Sequence, residues 1–114
     1  MTFKEYQNKS RKTALYTNID KSVIGNHILY PTLGLAGETG EFVEKIKKIM
    51  RNKNGVFEEQ DKDALKGELG DILWYIAQLA TDLGLELEDV AESNLEKVLS
   101  RLERNTINSE GDNR

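Results

Sequence analysis

A pattern that occurs twice, thirty positions apart, limits what this chain can fold into. Gly37-Glu38-Thr39-Gly40-Glu41 is matched by Gly67-Glu68-Leu69-Gly70-Asp71, and the apolar residues around them match as well: Leu35 with Leu65, Phe42 with Ile72, Ile46 with Ile76, Ile49 with Leu79. Such spacings make one apolar face on a helix that turns about 100° per residue, so both carboxylate pairs stand at the same angle beside their stripes. If the stripes pack on each other, all four carboxylates converge. Within each pair the i, i+3 spacing makes the two side chains neighbours.

The rest of the chain has the same helical grain. A single proline and little β-branched alternation leave few places for strands. The spacing predicts an all-α, bundle-like fold of four helices, at about 2–17, 31–51, 61–83 and 87–104, forming one domain over 1–104. Thr2 and Glu5 outline a capping box for the first helix. Pro31 suits the first turn of the second, and Gly84 suits the position just past the third. Residues 18–30 read as a connector and residues 105–114 as a disordered polar tail. Trp74 and Tyr75 make the third helix apolar around most of its circumference, which marks it as central or as a subunit interface.

Composition narrows the function classes. A net charge of −4 over 114 residues argues against a duplex nucleic-acid partner, which needs a basic face. There is no cysteine and one histidine, His27, so thiol chemistry, zinc knuckles and multi-histidine metal sites within one chain are excluded. No apolar run reaches the roughly 20 residues that span a bilayer. The polar start Thr2-Phe3-Lys4-Glu5 is unlike a signal peptide, so a cytoplasmic protein without membrane contact is expected.

Five of the nine glycines, Gly34, Gly37, Gly40, Gly67 and Gly70, fall within or beside the doubled motif. Each costs roughly 1 kcal/mol relative to alanine in a helix interior. Close helix approach or room for a ligand would offset that cost. Four converging carboxylates resist ionisation unless a cation is present, and hard divalent cations take oxygen ligands of this kind. The competing reading of either pair alone is a solvated helix edge; the phase-matched pairing with its glycines favours a metal site.

Glu38-x-x-Glu41, followed after 26 residues by Glu68-x-x-Asp71, resembles the signature of the MazG-like all-α nucleoside triphosphate pyrophosphohydrolases. The words from Gly34 to Phe42 and from Glu68 to Tyr75 are similar to that family's, and Asn94-x-x-Lys97-x-x-x-Arg101 resembles its basic segment. The resemblance covers about residues 30–102, with only a loose match in the first helix. It implies hydrolysis of a (deoxy)nucleoside triphosphate between the α and β phosphates, giving a monophosphate and pyrophosphate in nucleotide-pool house-cleaning. It also implies Mg²⁺, with Mn²⁺ as a substitute, held by the catalytic carboxylates Glu38, Glu41, Glu68 and Asp71. A metal-held water would attack phosphorus with one of the carboxylates as base, which one being left open. Relatives are commonly dimers or tetramers, so a homodimer or homotetramer is expected.

By the same resemblance Asn94, Lys97 and Arg101 would grip the β and γ phosphates, although cations in a helix's last turns also suit its dipole. Lys45 sits on the carboxylate side of its helix, but Lys47, Lys48 and Arg51 spread around it, and as a group the four read as a solvated face. His27, Tyr30 and Tyr75 are the candidates for contact with the base. Against this, the favoured readings are an exposed loop residue for His27 and packing for Tyr75. The alternative function is a non-catalytic helical module for oligomerisation or nucleotide binding.

Overall fold

The computed structural model describes residues 1–18 and 26–107, apart from the side chains of residues 26, 27, 106 and 107. Four helices, α1 Phe3–Arg11, α2 Asn26–Lys53, α3 Glu59–Asp82 and α4 Leu87–Ile107, account for most of it, with a 3₁₀ turn at Leu15–Asn18. Among the described residues there is no strand. The polar tail beyond Ile107 and the connector residues 19–25 lie outside the described residues.

The expected capping box opens α1: the Thr2 hydroxyl accepts from the Glu5 amide at 3.1 Å, and the Glu5 carboxylate accepts from the Thr2 amide at 3.2 Å. The helix stops at Arg11, however, and does not run to Thr17. Hydroxyl groups explain the break. Ser10, Thr13 and Thr17 each donate to a carbonyl three residues back, an alternative to the helical ladder that Ser and Thr side chains offer. The resulting turn buries Ala14 and Tyr16 and leaves Leu15 exposed.

Helix α2 begins five residues before the expected 31, so Tyr30 belongs to a helix and not to a connector. Pro31 sits inside it, in the second turn, rather than in the first. The fully buried ring offsets the one ladder bond lost there. A short link through Asn54 and Gly55, both at positive φ, returns the chain. Lys53 clamps the link, its ammonium 2.9 Å from Glu58 and 3.0 Å from Asp61. Helix α3 then packs back along α2, as the doubled stripe requires.

Gly84, at φ +72°, ends α3. A polar network then ties the α3–α4 corner to α1. Gln7 donates to Thr81 Oγ1 at 3.1 Å and to the Leu85 carbonyl at 2.9 Å, and accepts from the Leu87 amide at 2.9 Å, capping α4. Gln78, fully buried, donates to Ser10 and accepts from Arg11. Arg11 reaches Asp82 at 2.8 Å, and the Tyr16 hydroxyl donates to the other oxygen of Asp82. Burial foremost, then that bond, pushes the Tyr16 phenol up to about 12. Buried polar groups need partners, and here they hold α1 to α3.

Helix α4 packs on α1 and α3. Leu87 is buried, but Val90, Leu95, Val98 and Leu99 along the same helix are exposed. On the hairpin Leu33, Val43, Met50 and Leu69 are exposed too. The stripes expected on α3 and α4 are therefore only partly covered by the chain's own helices. No helix among the described residues is long and apolar enough to cross a membrane.

Candidate active site

Packing α2 against α3 brings three of the four motif carboxylates together. Glu38, Glu41 and Glu68 each offer an oxygen within 4.8 Å of the others. Asp71 is exposed and lies outside that set, close enough for its charge to act on Glu38. Glu38 and Glu68 are half-buried, and each keeps one buried oxygen, Oε2, with no hydrogen-bond partner. Unpartnered buried carboxylate oxygens are costly. The Glu38 carboxyl is accordingly raised from 4.5 to about 7, by burial first, then by the charge of Glu41 and a hydrogen bond with it, then by Asp71 and Glu68. An oxygen-only set with two orphaned atoms and one carboxyl pushed towards its neutral form fits a hard divalent cation.

The glycines divide into two roles. A Cβ on Gly34 would fall 2.1 Å from the ring of Tyr75, so this glycine lets the aromatic of α3 lie against α2. Cβ atoms on Gly37, Gly40, Gly67 and Gly70 would meet nothing within 4 Å. These four leave space open around the carboxylates and bring no helix closer.

Aromatic rings line the α2 N-terminal side of the cluster. Tyr30 stacks on Tyr16 at 5.1 Å and 15°. Trp74 stands edge-on to Tyr16 at 6.2 Å and to Tyr75 at 5.0 Å, and its indole N–H donates to Thr13 at 2.9 Å. Burial raises the Tyr75 phenol, with the charges of Tyr30, Glu38 and Asp71 adding to it. The side chain of His27 lies outside the described residues.

The residues expected to bind phosphate lie on α4. Asn94 and Lys97 line one open pocket of about 450 Å³ with Leu85, Asp89, Val90 and Ser93. Arg101, half-buried one turn further on, is not part of it. No hydrogen bond or ion pair joins the three to the carboxylates among the described residues.

Two features were not picked out by sequence reasoning. Lys45 reaches Glu68 Oε1 at 3.5 Å and so touches the cluster, where a solvated face had been the expectation for the lysines as a group. Its i+4 spacing from Glu41 is the signal that separates it from its neighbours. Tyr16, behind Tyr30, carried no signal, because its orientation depends on the break after Arg11.

Residues 29–105 match the sequence model of the MazG nucleotide pyrophosphohydrolase domain. The chain is also similar to the Gene 37 protein of Mycobacterium phage L5, with 43% identity over 109 residues that cover 96% of each chain. No solved structure matches it.

Proposed function

The chain belongs to the MazG nucleotide pyrophosphohydrolase family, and from that premise we propose that it hydrolyses (deoxy)nucleoside triphosphates between the α and β phosphates. The products are a nucleoside monophosphate and pyrophosphate, and the role is control of the nucleotide pool. The observation that carries this reading is the set Glu38, Glu41 and Glu68, with two buried oxygens lacking partners. Glu38, Glu41 and Glu68, with Asp71 at the rim, would hold Mg²⁺, or Mn²⁺ in its place. Bound there, the cation supplies positive charge against the phosphates and polarises water.

The protein's own groups do the rest. Half-burial of Glu38 and Glu68 keeps their oxygens aimed inward, and Lys45 holds one oxygen of Glu68. The glycine-flanked opening admits the phosphates. Tyr30 and Tyr75 offer ring faces and hydroxyls to the base, together with His27, which precedes Tyr30 on α2. Asn94, Lys97 and Arg101 would bind the β and γ phosphates from a neighbouring copy in a homodimer or homotetramer. The exposed apolar residues of α4 and of the hairpin support such an assembly.

The test is a panel of standard and modified triphosphates with Mg²⁺ and with Mn²⁺. At least one should be turned over, with loss of activity in Glu38→Gln and Glu68→Gln. Absence of turnover across the whole panel would remove the proposal.

A further inference from the structure

The 3₁₀ turn after α1 holds one aromatic ring in place. Tyr16 is 7% exposed, and its neighbours fix it. Its hydroxyl donates to Asp82, a carboxylate that is itself buried, and accepts from Arg11 at 3.0 Å. Arg11 closes the triangle at 2.8 Å from the other oxygen of Asp82. On the ring's edge stands Trp74, held in turn by its bond to Thr13. Every one of these partners belongs to α1, to the residues just after it, or to α3.

The anchored ring covers one face of Tyr30, stacked at 5.1 Å and 15°. Tyr30 nevertheless remains 44% exposed, so the stack fixes its ring without burying it. Tyr30 also opens the side of α2 that leads to the carboxylates. At about 100° per residue, Tyr30, Gly34 and Glu38 fall within an arc of about 80°. A rise of about 1.5 Å per residue puts Glu38 about 12 Å further along the axis. Between them, Gly34 gives room to the Tyr75 ring.

An exposed tyrosine that is free to rotate loses that freedom when a base stacks on it, and the loss subtracts from affinity. A ring already held flat against a second, anchored ring does not incur it. Aromatic stacking also needs a defined plane, and Tyr16 sets the plane of Tyr30. Resting on the function proposed above, we propose that Tyr16 is a positioning residue for nucleobase recognition: clamped by Asp82 and Arg11, it orients Tyr30, and Tyr30 meets the base. A nucleotide whose α phosphate lies at the acids then extends its base along α2 towards Tyr30. Both α1 and the turn that carries Tyr16 precede the residues matched by the family model. Base recognition thus draws on a part of the chain outside that match.

Nucleoside monophosphates, titrated calorimetrically into the full chain with Mg²⁺ present, test this without turnover. Base stacking on an aromatic ring is worth enough that Tyr16→Leu should weaken the best-bound of dAMP, dGMP, dCMP and dUMP about fivefold. Inorganic tripolyphosphate, which has no base, should change less than twofold. Tyr16→Phe keeps the ring and gives up the bond to Asp82, so its midpoint in urea should fall while monophosphate affinity stays within twofold. Because Tyr16 acts through Tyr30, adding Tyr16→Leu to Tyr30→Leu should cost less than a further twofold. Circular dichroism checks each fold, and Tyr16→Met takes the same role if Tyr16→Leu does not fold. Unchanged monophosphate binding, equal weakening of tripolyphosphate, multiplied losses in the double variant, or a Tyr16→Phe as weak as Tyr16→Leu overturns the inference. So does a wild-type protein that binds none of the four monophosphates. The expected pattern in a protein that turns over no triphosphate would keep the positioning role and remove the hydrolase reading alone.

Discussion

Replacing Glu38 by glutamine should stabilise the protein without metal and abolish its stabilisation by metal. The Glu38 carboxyl is raised to about 7 in the fold, from 4.5. A group whose folded value is raised contributes stability that is fully present below its unfolded value and is lost as pH rises through the folded one. At pH 8 without a divalent cation, the charge on Glu38 is therefore a cost. At about 1.36 kcal/mol per pH unit the unscreened figure is roughly 3 kcal/mol. Partial exposure and proton sharing with Glu41 reduce it to roughly 1–2 kcal/mol. Glutamine keeps the shape and removes the charge. For a domain of this size that is a rise in Tm of about 4–8 °C. With Mg²⁺ at tenfold its dissociation constant the wild type should gain about 1.4 kcal/mol, and Glu38→Gln almost none. Thermal unfolding by circular dichroism at pH 8 and pH 5.5, with and without Mg²⁺ and at one protein concentration, reads all of this. A glutamine variant less stable than wild type in the absence of metal at pH 8, or one with the full Mg²⁺ gain, would refute the reasoning.

Three further outcomes are expected. Gly34→Ala should lose about 1–3 kcal/mol in urea unfolding, because its Cβ would fall 2.1 Å from the Tyr75 ring. Gly37→Ala, with nothing within 4 Å, should gain up to about 1 kcal/mol from helix propensity. Asp82→Ala strands both Arg11 and Tyr16, so a loss of about 3 kcal/mol is expected in the same assay. Leu95→Glu combined with Leu99→Glu puts charges on the exposed face of α4; sedimentation should show a lower oligomeric state, with the helix content of the chain unchanged.

The doubled motif made the hairpin legible, since phase-matched stripes can bury themselves against each other, and that packing brings Glu38, Glu41 and Glu68 together. The end of α1 was not legible. Ser10, Thr13 and Thr17 divert carbonyls locally, and no periodicity records that competition. The start of α2 was hidden by Pro31, whose preference for a first turn concealed a helix already under way. Gln7 and Gln78, polar residues that no apolar periodicity marks as buried, pin α1 to the α3–α4 corner through partners about seventy or more positions away. For the phosphate strip the spacing was clear, but its distance from the carboxylates depends on how α4 meets the other helices, which a one-dimensional pattern does not carry. Lys45 shows the opposite limit: its side of the helix and its i+4 spacing from Glu41 were visible, and its contact with Glu68 was not.

The central claim is the bond that is cut, and phosphorus NMR of the reaction products reads it directly. With Mg²⁺ and a susceptible triphosphate, the resonances of a nucleoside monophosphate and of pyrophosphate should grow together in equal amounts. Neither should appear with Glu68→Gln. Growth of nucleoside diphosphate and orthophosphate instead, or product formation undiminished in Glu68→Gln, would contradict the account.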